Sequence, residues 1–191
     1  MKTTLLTIAF GALALSAGAL TVGESVRLDI EKGAHHPVLA PDGKTLLFST
    51  VNHEGLKAYD MATAAITVID DSRGAGFDPV FTADGSRMIF TEPFKGVFVS
   101  ALDGSDVRRV ATKGDFSAWA GNDWIITVVS HDDGYVITDA RLYAVNVNDG
   151  TMVSLTGEDT LVSEATAAAD GTVIYTDIVG EMYMIKLNTA D

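Results

Sequence analysis

Two histidines and three carboxylates stand at matched places along this chain. His36, Asp78, Phe116 and Glu164 share one position of a repeating pattern, and His35, Phe77, Asp115 and Ser163 share the position before it. If those positions converge, His35, His36, Asp78, Asp115 and Glu164 line the mouth of a common ligand-binding channel. Imidazole nitrogens with carboxylate oxygens suit a divalent cation or a cationic ligand. The metal set would be His36, Asp78 and Glu164. A competing reading is local. His36-Pro37 and Asp78-Pro79 each place a polar side chain just before proline, where it satisfies backbone groups at a strand start. Beyond a divalent cation such as calcium, no cofactor is expected.

A second candidate is His131-Asp132-Asp133-Gly134-Tyr135, in a longer polar insertion over residues 130–139. Loops on a rigid scaffold commonly carry recognition, so His131, Asp132, Asp133 and Tyr135 are candidate recognition residues. Asn146-Val147-Asn148-Asp149-Gly150 is read as a hairpin turn: its glycine falls too early for a calcium loop and no glutamate closes the twelfth position. Trp119 and Trp124 flank one turn at positions that suit core packing. The chain has no Gly-x-Ser-x-Gly elbow, His-Glu-x-x-His pair, phosphate loop or Gly-x-Gly-x-x-Gly turn. A non-catalytic role is therefore expected, with a small metal-dependent hydrolase or lyase at the channel mouth as the alternative.

The elements that must position these residues are strands. His36-Pro37-Val38-Leu39-Ala40-Pro41-Asp42-Gly43 recurs 42 residues later as Asp78-Pro79-Val80-Phe81-Thr82-Ala83-Asp84-Gly85. Worn copies begin at Phe116 and Glu164. A period of this length marks stacked supersecondary units. In each copy an apolar strand meets an Asp-Gly or Asn-Asp turn, which accepts positive φ, and a β-branched or aromatic strand follows. The expected architecture is an all-β propeller of about four blades, each a four-stranded antiparallel sheet, over residues 34–70, 76–111, 114–156 and 162–188. The fourth repeat lacks its outer strand. Ser25 to Ile30 alternates polar and apolar residues, as a half-exposed strand does. It is expected to close the last blade, since an open sheet edge invites aggregation.

The Pro-Asp-Gly turn, the apolar-aromatic strand after it and the Gly55-Leu56-x-x-Tyr59-Asp60 third strand resemble the WD40-like PD40 repeat. That repeat builds the propellers of TolB-type proteins and those attached to prolyl oligopeptidases. The resemblance covers about residues 33–187 and implies a fold, because one fold hosts many sites. TolB-type proteins carry six blades and a separate N-terminal domain, whereas four repeats are read here. No activity or site residue is carried over. Four blades can close alone, or two chains can pair into one eight-bladed ring, so monomer and homodimer both stay open.

Composition sets the compartment. Lys2 precedes an apolar run from Leu5 to Leu20, and Ala17-Gly18-Ala19 offers a cleavage site. Residues 1–19 are read as a signal peptide, which leaves residues 20–191 as a single exported domain, periplasmic or secreted. Its formal net charge of −13 becomes −14 without Lys2. Such a surface argues against nucleic acid and anionic lipid, and no stable membrane insertion is expected once the signal is removed. No cysteine is present, so stability must come from the core. The expected function is binding of a protein or cell-envelope component through the blade-end loops, with assembly into a larger propeller as another reading.

Overall fold

The structure, a computed structural model, describes residues 24–188. The signal peptide expected over residues 1–19 lies outside the described residues. Four antiparallel sheets follow in chain order, with no helix among the described residues. Sheet 1 holds β1 (Ala34–Leu39), β2 (Thr45–Thr50), β3 (Leu56–Asp60) and β4 (Ile66–Asp70). Sheet 2 holds β5 (Phe77–Phe81), β6 (Arg87–Glu92), β7 (Gly96–Ala101) and β8 (Arg108–Ala111). Sheet 3 holds β9 (Asp115–Trp119), β10 (Trp124–Asp132), β11 (Ile137–Asn146) and β12 (Met152–Ser154). Sheet 4 has three strands, β13 (Val162–Ala167), β14 (Thr172–Asp177) and β15 (Met182–Lys186).

Each sheet is a meander, because its strands are joined by turns that the local sequence dictates. At Pro41-Asp42-Gly43, Gly43 takes φ 71° and donates its N–H to Ala40 O at 2.9 Å. Asp42 Oδ1 accepts from Lys44 N at 2.9 Å. Asp84 repeats this geometry, accepting from Ser86 N at 2.9 Å and from the buried Thr82 hydroxyl at 2.7 Å. The connectors between sheets impose a different demand. A Cβ on Gly76 would sit 2.2 Å from Ser49 Cβ, and one on Gly114 would sit 2.3 Å from Thr127 Oγ1. Both glycines immediately precede the first strand of a sheet, where the chain crosses against its neighbour.

The sheets pack face to face, and the core lies between them. Leu47, Leu56 and Ile69 of sheet 1 meet Met88 and Phe90 of sheet 2. Ile89, Val97 and Val99 on the other face of sheet 2 meet Trp119, Ile125 and Val145 of sheet 3. Ile126, Val128 and Leu142 then meet Val162 and Val173 of sheet 4. Period-two alternation explains this: Met88 and Phe90 face one way while Ile89 faces the other, so both faces of a middle sheet are apolar. Each fully buried Leu, Met or Phe contributes roughly 1.5–3 kcal/mol. Among the described residues, no core cluster joins sheet 4 to sheet 1.

Two expectations are corrected here. Residues 25–30 form no strand, and among the described residues β15 pairs only with β14. The segment instead runs beside the outer face of sheet 1, where Leu28 and Ile30 share a cleft with Leu46 and Phe48. Gly33 at φ 97° leads straight from it into β1, and this short tether holds the segment at that end of the stack. The polar insertion over residues 130–139 is also shorter than expected. β10 and β11 extend through it, pairing His131 with Asp139 and Asp132 with Ile137. Alternating Thr127, Val129, Ile137 and Arg141 sustain the ladder, so only residues 133–136 remain as a loop.

Phe90→Ala should destabilise the protein by about 3–5 kcal/mol in urea unfolding, because Phe90 is fully buried between two sheets. The Thr82 hydroxyl, then the Ser86 amide and hydroxyl, lower the Asp84 pKa from 3.8 to about 2. A depressed carboxylate stabilises the fold above its unfolded pKa and loses that contribution as pH falls through its folded value. The stability gap between wild type and Asp84→Asn should therefore shrink as pH falls from about 4 to about 2.

Candidate functional site

The first strands of all four sheets line one central cavity of about 630 Å³. Val38, Val80, Ala118, Ala165 and Ala167 supply apolar wall, and Trp119 closes part of it. Trp119 is buried, and its indole Nε1–H donates to Val80 O at 2.9 Å. That bond ties sheet 3 to sheet 2 beside the cavity. Core packing, as expected for Trp119, thus coexists with a place on the cavity wall.

At one end of the cavity stand His36, His53 and Asp78. His36 has φ 55° and Asp78 has φ 44°, each directly before a proline. The pairing of β1 with β2 shifts between His35 and Val38, and that of β5 with β6 shifts between Phe77 and Val80. These bulges take His36 and Asp78 out of the regular alternation and turn them to the cavity. Left-handed backbone at a residue other than glycine costs of order 1–3 kcal/mol, and such residues concentrate at functional sites. The imidazoles of His36 and His53 stack with centroids 3.7 Å apart at 19°. The Phe77 ring lies 4.6 Å from His53. With Nδ1 protonated, His53 donates to Gly76 O at 3.2 Å.

The remaining expected mouth residues go elsewhere. His35 borders the cleft under residues 27–33. Asp115 borders a separate cleft of about 420 Å³ with the buried Glu92. There Lys95 Nζ sits against Glu92 Oε2 as a charge pair, although no donor is aligned on that oxygen for a hydrogen bond. Glu164 lies on the open face of sheet 4, opposite Thr176, which is opposite Met182. The reason is one of parity. In β13 the irregularity falls between Val162 and Glu164, ahead of the aligned position, so Glu164 keeps regular alternation and faces away. His36, Asp78 and Glu164 therefore do not meet. Among the described residues, no three His, Cys, Asp or Glu side chains group as a metal ion would need.

His131 and Asp132 belong to β10 rather than to a loop, and His131 Nδ1 lies 3.5 Å from Asp139 Oδ2. Arg141 Nε completes that cluster at 3.0 Å from Asp139 Oδ1. Asp133 Oδ1 accepts from Tyr135 N and Val136 N at 2.9 Å, which holds the tip with Tyr135 almost fully exposed. Hydrogen bonds from those two amides lower the Asp133 pKa.

A wider pattern surrounds the cavity at this end. The second hairpin of every sheet turns here, and each turn exposes a large apolar side chain. Sheet 1 presents Val51, sheet 2 Phe94, sheet 3 Tyr135 and Val136, and sheet 4 Ile178 and Val179. In the connections at the opposite end, the one exposed large apolar side chain among the described residues is Met61. Phe94 is fully exposed and has φ 66°. Its turn closes with Lys95 N donating to Glu92 O at 3.0 Å, with Pro93 at the second position. This is the type II pattern, whose third position normally takes glycine or asparagine. The sequence signal for His53 and Phe94 is a large side chain in a turn position that favours a small one.

No protein-family model matches the chain, and no curated protein matches it. Solved structures do. TolB from Acinetobacter baumannii aligns over 83% of this chain and 44% of its own, with 20% identity and a TM-score of 0.53. The β-propeller domain of Cps50 (Swd1) from Myceliophteria thermophila aligns over 81% and 54%, with 13% identity and a TM-score of 0.59. Oligogalacturonate lyase from Vibrio parahaemolyticus aligns over 75% and 44%, with 12% identity and a TM-score of 0.57. The fold is that of a β-propeller, and the chain spans about half the length of these proteins.

Phe94→Gly should raise stability by up to about 1 kcal/mol, since removing the left-handed penalty outweighs the added freedom of glycine in the unfolded chain. Thermal unfolding checks this.

Proposed function

We propose that this chain is a non-catalytic, exported propeller module of the TolB-like, PD40-repeat kind. It binds a protein or cell-envelope component through the end that carries the second hairpins. The observation that carries the reading is that the second-hairpin turn of every sheet, at the cavity end that holds His36 and Asp78, exposes a large apolar side chain. Water-exposed Phe and Tyr side chains on rigid turns gain free energy when a partner covers them, and such residues dominate binding interfaces.

His36, His53 and Asp78 supply polar specificity at that end. The Asp78 carboxylate suits a cationic group on the partner, and the stacked imidazoles present a flat surface beside it. Tyr135 and Asp133 extend the surface outward. A net charge of −13 disfavours nucleic acid and anionic lipid and favours partners with positive patches. The left-handed Phe94 fits the same reading, because a turn that gives up stability for an exposed aromatic side chain is a functional feature.

Affinity capture from a cell-envelope extract tests the proposal. Phe94→Ser with Tyr135→Ser should weaken capture of the same partner about 30-fold, as expected for loss of an interface hot spot. Asp103→Asn, at the opposite end, should leave it unchanged. Equal capture by all three proteins would defeat the reading.

A further inference from the structure

Three gaps between neighbouring sheets are filled inside this chain, and the two ends of the stack are not. β15 is paired along one edge by β14, and its other edge has no ladder among the described residues. The other three sheets each have four strands. On the face of sheet 4 turned away from sheet 3, Ile174 stands opposite Met184, and Thr176 opposite Met182. Met182 and Met184 are 76% and 72% exposed. An exposed apolar edge strand of this kind is a template for another strand.

A matching piece lies at the far end of the same stack. Residues 25–30 alternate Val26, Leu28 and Ile30 with Ser25, Arg27 and Asp29 but join no ladder. They lie at the outer face of sheet 1, next to Leu46 and Phe48. That is the face against which a further sheet would pack. Val26 remains 79% exposed.

We propose that two copies of this chain associate end to end. Residues 25–30 of each copy add as the fourth strand to β15 of the other, while the face bearing Ile174, Met182 and Met184 packs on the partner's sheet 1. The contact joins unlike surfaces, and two copies use it twice to close a ring. Two observations favour a second copy as the occupant. Strand-patterned sequence without a ladder and a sheet short of one strand occur together in one chain, at opposite ends of the stack. Charges of both signs flank the contact: Arg27 and Lys32 with Asp29 and Glu31 along the segment, and Glu181 with Lys186, itself bridged to Asp170, along β15. Repulsion between two chains of net charge −13 is screened beyond about 8 Å at physiological ionic strength. The association leaves the hairpin-turn end free, so it stands independently of the partner-binding reading.

The absence of cysteine makes the test clean. Met184→Cys is mixed with variants carrying one cysteine at each of positions 25 to 29 in turn, under oxidising conditions in physiological salt. Light scattering on the wild type should give the mass of two chains. Cross-linked dimers should form with a period of two along the segment, the signature of strand pairing. Met184→Asp should weaken association at least tenfold with an unchanged far-ultraviolet circular dichroism spectrum. A single-chain mass at all micromolar concentrations overturns the proposal. So does a dimer whose cross-links are absent or show no alternation, and so does a chain carrying both cysteines that closes only on itself.

Discussion

Face-to-face packing between adjacent sheets is the interaction on which everything else in this protein depends. Each sheet is too thin to hide both of its apolar faces, and period-two alternation gives the middle sheets two such faces. Met88 and Phe90 on one side of β6, with Ile89 on the other, show the arrangement in three consecutive residues. Stacking is then the only way to dry those side chains, and it brings the first strand of every sheet to a shared cavity. The close crossings at Gly76 and Gly114 follow from the same demand. Connectors that join tightly packed sheets have no room for a Cβ. With no disulfide available, this packing bears the stability of the fold.

The stack also separates two kinds of chain end. First and third hairpins turn at one end with short acidic loops, in which Asp42, Asp84 and Asp170 of first hairpins and Asp103 of a third hairpin cap the backbone of the residue two ahead. Second hairpins turn at the other end and carry Val51, Phe94, Tyr135 and Val179 in the open. Nothing about turn formation requires that difference, since Asp132, Asp133 and Asp177 cap turns at the second end as well. The apolar side chains are additional to what the turns need. Their concentration at that end is what the proposed binding role rests on.

Bulges decide which polar side chains reach the mouth. Repeat alignment places His36, Asp78 and Glu164 in equivalent positions, yet only the first two enter the cavity. A shift of one residue in a strand moves a side chain to the opposite face, and the irregularity in β13 falls early enough to leave Glu164 outside. His53 arrives from a different element, the turn after β2, and stacks on His36 because the two strands of that hairpin bring their ends together.

The local pattern in the sequence was sufficient for the strands, the turns and the number of sheets. Pro41-Asp42-Gly43 and Ala83-Asp84-Gly85 specify their own geometry, and the alternation of apolar residues specifies which faces are buried. The short outer edge of the last sheet was visible for the same reason. These are interactions within a few residues or across one hairpin. The fate of residues 25–30, the extension of β10 and β11 through residues 130–139, and the membership of the cavity mouth rested on tertiary structure alone. A strand-like alternation says that a segment can pair, not which edge it finds; Leu28 and Ile30 lie at the face nearest their tether. Whether a side chain points into a shared cavity depends on bulge position and on how separate sheets face one another, and neither is written in the spacing of residues along one strand.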